Sequence, residues 1–85
     1  MQSQYDGEFE KLCQILKVEL VPALAEVGIR AEISYSRVCC VKITHLATST
    51  CLYSTVYYMY EEMLRAGSAE CCAQTLLYQF LFETD

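Results

Sequence analysis

Six cysteines and one histidine are the residues of this 85-residue chain with the chemistry to hold a metal, exchange disulfides or attack an electrophile. The thiols fall at Cys13, Cys39, Cys40, Cys51, Cys71 and Cys72. A zinc site normally draws its ligands from Cys-x2–4-Cys pairs, a spacing that lets two sulfurs converge on one ion. The close pairs here are adjacent doublets instead. On a strand, Cys39 and Cys40 point to opposite faces; on a helix, Cys71 and Cys72 are about 100° apart. Neither doublet is a good chelating unit, and buried thiols commonly serve as small apolar filler. A disulfide framework fits no better, because such scaffolds are loop-rich and exported. A Cys–His nucleophile needs a base oriented by a third group, and His45 is the sole imidazole available. A lone histidine at a strand end is expected to face solvent or to hydrogen-bond locally. The glycines are isolated, so no phosphate-binding loop exists. The sequence therefore predicts no catalytic residues, no cofactor and no metal ligands. The alternative is a cysteine-dependent metal-binding or redox protein built on Cys39, Cys40 and His45.

Tyrosine is the other distinctive residue type. Tyr53, Tyr57, Tyr58 and Tyr60 crowd one segment. A tyrosine offers a large contact area and a hydroxyl at modest entropic cost, which enriches it at interfaces. In helical projection Tyr58 shares its side with Ser54, Glu61, Glu62 and Arg65. The face made by Tyr58, Glu61, Glu62 and Arg65 is the candidate partner-binding surface.

The charge balance narrows the partner. Six Lys and Arg against eleven Asp and Glu give a net charge of −5. The cations are scattered, so the clustered basic surface needed for a phosphate backbone or an anionic membrane is missing. The stretch from Ile43 to Tyr60 has no formal charge, yet its His, Tyr, Ser and Thr make it too polar to span lipid. The first residues lack the basic region and apolar run of a leader. A cytoplasmic setting with reduced thiols is the expectation.

These residues must be positioned by regular elements, and their pattern is readable. Ser3 and Asp6 are candidate N-caps. Phe9, Leu12, Leu16, Leu20, Leu24 and Val27 then recur every three or four residues, the stripe of an amphipathic helix that Gly28 ends. Pro22 cannot donate to the carbonyl of Val18 and presses on that turn, which predicts a kink or two shorter helices. From Ile29 the period becomes two, and a β-hairpin is predicted. A loop at Ser36-Arg37-Val38 would set Tyr35 opposite Cys39, Ile33 opposite Val41 and Ala31 opposite Ile43. It would also bring Glu32 across from Lys42. Ser49 or Thr50 is expected to cap a helix carrying Leu52, Val56, Met59 and Met63 on its inner stripe, with Gly67 as its stop. Ser68 is expected to cap a last helix running through Phe82. The fold is thus a small α+β domain over residues 1–85: an N-terminal helix kinked near Pro22, a β-hairpin and two C-terminal helices.

The last helix is unusual. Ala69, Cys72, Ala73, Leu76 and Phe80 form one stripe, with Leu77 and Leu81 beside it. Cys71, Thr75, Tyr78 and Phe82 form a second one. A surface helix normally opposes its apolar stripe with charges. Here Glu70 is the one charged residue before Glu83. A chain this short has little material to cover such a helix on every side. A second copy of the chain is the simplest cover, so a homodimer through Cys71, Thr75, Tyr78 and Phe82 is expected. The composition suits a small intracellular regulator or inhibitor, of the kind phages and mobile elements encode, acting by occluding a surface of a larger protein.

Overall fold

The computed structural model describes residues 2–34 and 40–82, with the side chains of residues 2–6 and of Cys40 left aside. In chain order the elements are α1 (Gln2–Ile15), a π-helical segment (Leu16–Leu20), α2 (Val21–Glu26), β1 (Ile29–Ile33), β2 (Cys40–His45), β3 (Thr50–Thr55), α3 (Val56–Ala66) and α4 (Ala69–Phe82). The architecture is α+β, with a three-stranded antiparallel meander where a two-stranded hairpin was expected.

The N-terminal helical stretch is unbroken from Gln2 to Glu26 but changes winding. Val21 N–H bonds to Leu16 O, an i→i−5 bond that replaces the α-helical pattern just before the proline. Pro22, in the first turn of α2, has no N–H to give, and the π turn lies immediately before it, where the α-helical bonding pattern must be interrupted. The expected kink is thus a widened turn upstream of Pro22. The wider turn also keeps Leu16, Leu20 and Leu24 on the core side, where all three are buried. The helix starts at Gln2, ahead of the predicted caps Ser3 and Asp6. Gly28 ends α2 in the left-handed region, φ 81°, where a side chain would be strained.

Strand pairing sets Ala31 against Ile43, Ile33 against Val41 and Glu32 against Lys42, the register that face alternation predicts. The Glu32 carboxylate also lies 3.8 Å from Arg30 on its own strand. The proposed loop and the Tyr35–Cys39 pair lie outside the described residues.

β3 corrects the sequence reading. Thr50 and Ser49 do not cap a helix: Thr50 opens a strand, and Ser49, at φ 62°, closes the preceding turn with its N–H on His45 O. Leu52 sits on the sheet opposite Ile43 and not on a helix. The physical reason is that Thr, Tyr and Cys favour an extended chain beside a partner strand. The helix begins only after Thr55, whose Oγ1 accepts from Tyr58 N–H at 3.1 Å.

One face of the sheet, bearing Ile29, Val41, Ile43 and His45, is buried against the helices. Cys13, Leu16, Leu20, Ala23 and Leu24 from the first helix, Val56, Met59 and Met63 from α3, and Ala69, Cys72, Ala73, Leu76 and Phe80 from α4 complete the core. The molecule extends 46 × 26 × 17 Å. A thickness of 17 Å holds one layer of helices on a sheet, so each helix keeps an outward side.

Candidate functional site

The site is built on an antiparallel helix pair. α3 turns its buried stripe, Val56, Met59 and Met63, to the core. Gly67, at φ 96°, stops it, with its N–H shared between Met63 O and Leu64 O. Ser68 then caps α4: its Oγ accepts from Cys71 N–H at 3.1 Å. With only Gly67 and Ser68 between them, the helices must fold back on each other. Their facing outer edges leave a cleft of about 230 Å³.

Tyr58, Glu62 and Arg65 line the α3 side of that cleft, at the i, i+4, i+7 spacing that stacks side chains on one edge. Cys72, Thr75, Leu76 and Gln79 line the α4 side. Arg65 Nη1 donates to Glu62 Oε2 at 3.2 Å, an i,i+3 ion pair along the α3 rim. Cys72 lies at the buried base, and burial pushes its thiol pKa up, with the Glu62 carboxylate adding to the effect. That thiol stays protonated and is a poor nucleophile.

Three of the four residues expected to bind a partner, Tyr58, Glu62 and Arg65, therefore share one rim. Glu61 is exposed on α3 but does not line the cleft, being rotated from its neighbour by about 100°. Of the expected self-association residues, Thr75 belongs to both surfaces. Cys71, Tyr78 and Phe82 are exposed on the outer side of α4. Tyr78 is 56% exposed and Phe82 75%, and their rings stack at 6.0 Å. Leu81 extends the same apolar surface at 51% exposure. The Thr75 hydroxyl donates back to Cys71 O at 3.0 Å, which satisfies its polar atom within the helix.

The cleft residues Cys72 and Gln79 were not foreseen, because the periodicity of one helix says nothing of where its neighbour crosses. The other tyrosines are scattered. Tyr57 meets Phe9 at 6.2 Å, Tyr60 packs against the core, and Tyr53 stands on the open face of β3.

His45 is not solvent-facing. It is 6% exposed, its Nδ1 lies 3.0 Å from Thr48 Oγ1, and its ring stacks at 5.3 Å on Phe80. Cys39 and the side chain of Cys40, its prospective companions, lie outside the described residues. Among the described residues no three His, Cys, Asp or Glu side chains are placed to hold a metal ion. No described helix is long and apolar enough to cross a membrane.

Compared with protein-family models, curated proteins and solved structures, the chain finds no match.

Proposed function

We propose that this protein is a non-catalytic protein-binding module that associates with itself through the outer face of α4. The observation that carries the reading is the exposed aromatic surface of Tyr78 and Phe82 with Leu81, on a helix whose one charge is Glu70. Those three side chains expose on the order of 300–400 Å² per copy, the size range of the functional patches on small proteins. Leaving it in water costs free energy that a second apolar surface recovers.

The rim of Tyr58, Glu62 and Arg65 is the surface this module offers to a larger partner. It combines an exposed aromatic ring with a guanidinium, the residue types that anchor interfaces, beside the Glu62 carboxylate that pairs with Arg65. Binding there would act by occlusion, as a regulator or inhibitor does, without chemistry at the site.

The experiment is sedimentation velocity or light scattering on the wild type and on Phe82→Glu. The proposal expects a dimer for the wild type and a folded monomer for the variant, since the substitution puts a charge into an apolar contact. A wild-type monomer across the accessible concentration range rejects self-association. For the rim, Glu62→Lys together with Tyr58→Ala should abolish capture of a partner that the wild type retains. Unchanged capture removes the rim from the proposal.

A further inference from the structure

The outer stripe of α4 has an order in its residue sizes. Cys71, Thr75, Tyr78 and Phe82 are spaced four, three and four apart, the interval of the a and d positions along a coiled-coil seam. The two small residues occupy the N-terminal half and the two large rings the C-terminal half. Resting on the reading of α4 as the self-association surface, we infer that two copies pair with their α4 helices antiparallel. Phe82 of each then meets Cys71 of the second copy, and Tyr78 meets Thr75.

Packing density decides the direction. An antiparallel seam puts one large and one small side chain in every layer, so the helices stay evenly spaced along the contact. A parallel seam would set ring against ring at one end and Cys71 against Cys71 at the other. That opens a wedge, and a void of that kind forfeits the contacts that make an interface adhere. Thr75 suits its place in an apolar layer. Its hydroxyl is already bonded to Cys71 O at 3.0 Å, so its methyl group is free to meet the tyrosine ring. Tyr78 and Phe82 are stacked within one copy and form a continuous plate to lie over the small residues. The flanking Gln74, Gln79 and Leu81 carry no charge, so a net charge of −5 per copy is not concentrated at the contact. Antiparallel helices also oppose their dipoles favourably. The exposed apolar residues supply roughly half of the ~800 Å² per side that a standard interface buries. The exposed Gln74 and Gln79 on either flank add to that area.

The test uses the full chain, oxidised with copper–phenanthroline, with disulfides mapped by peptide mass spectrometry. In the antiparallel seam the two Cys71 residues are about 16 Å of helix apart, beyond the ~7 Å limit between Cα atoms for a disulfide. Position 82 lies beside Cys71 of the second copy. Phe82→Cys should therefore yield a covalent dimer bridged between positions 71 and 82, while the wild type yields no bridge between the two Cys71 residues. A Cys71–Cys71 bridge in the wild-type dimer overturns the antiparallel direction but keeps α4 as the interface. A wild-type monomer by light scattering overturns that underlying reading instead. Because Phe82→Cys also weakens the contact, a size swap gives a second measure. Phe82→Cys alone should raise the dimer Kd at least tenfold, by roughly the effect of truncating an aromatic anchor. Adding Cys71→Phe restores a large–small layer and should return the Kd to within about threefold of wild type. No recovery overturns the inference.

Discussion

His45 separates a structural account of this protein from a chemical one, and His45→Ala tests the difference. The ring is 6% exposed, stacked on Phe80 at 5.3 Å and joined to Thr48 Oγ1 at 3.0 Å. Removing the stack costs about 0.5–1.5 kcal/mol. The hydrogen bond contributes about 0.5–1.5 kcal/mol, and the space left above Phe80 adds about 1 kcal/mol. The sum is roughly 2–4 kcal/mol, against a total stability of about 4–13 kcal/mol for a chain of this length. At about 4–8 °C per kcal/mol, the melting temperature should fall by about 10–30 °C. Differential scanning calorimetry at a fixed protein concentration reads this directly. Thr48→Val, which replaces the hydroxyl with a methyl group and so also loses its 2.8 Å contact with Thr50 Oγ1, should cost about 1–2 kcal/mol. A metal role for His45 predicts instead that the wild type carries stoichiometric metal, which His45→Ala loses, and that its melting temperature falls when a chelator is added. A drop of less than about 3 °C for His45→Ala, within a fraction of a kcal/mol, would refute the structural assignment.

Other perturbations probe the frame around the cleft. Thr55→Ala removes the N-cap of α3 and should destabilise the protein by about 1 kcal/mol, whereas Thr55→Asp keeps a capping oxygen and should lose less; urea denaturation compares them. Gly67→Ala forces a side chain into the left-handed region at φ 96° and should cost about 1 kcal/mol in the same assay, although nothing lies within 4 Å of the added carbon. Cys72 should react with iodoacetamide at least about a hundredfold more slowly than exposed Cys71. Its thiol pKa is raised in the folded state, so the protonated thiol favours folding. That contribution is complete below pH about 9 and is lost as pH rises and the unfolded thiol ionises. Cys72→Ala should flatten this alkaline decline in a series of melts.

Much of the frame is legible in the sequence because burial imposes a period. Ile29, Ala31 and Ile33 alternate with charges, so a one-residue slip of β1 against β2 would mix the faces, and the unmixed register expected from the pairing of Glu32 with Lys42 is observed. The buried stripe of α4 follows from its three- and four-residue spacing. β3 is harder to read. Its inner positions Thr50, Leu52 and Ser54 include one apolar residue at the sheet edge, so no strong alternation marks it. The same weakness displaced the cap of α3 from Thr55. His45 did carry a signal: it continues the parity of Val41 and Ile43, which places it on the buried face. Tyr58, Glu62 and Arg65 could be grouped because they share one helix edge. Cys72 and Gln79 could not, since the crossing of α3 and α4 depends on tertiary packing that neither helix encodes alone.

The most direct test of the account is the solution mass of the wild-type chain, followed by light scattering over a range of concentrations. The account predicts a dimer that dissociates on dilution and that Phe82→Glu reduces to a folded single chain. A mass of one chain, 9.7 kDa, at every concentration would contradict it.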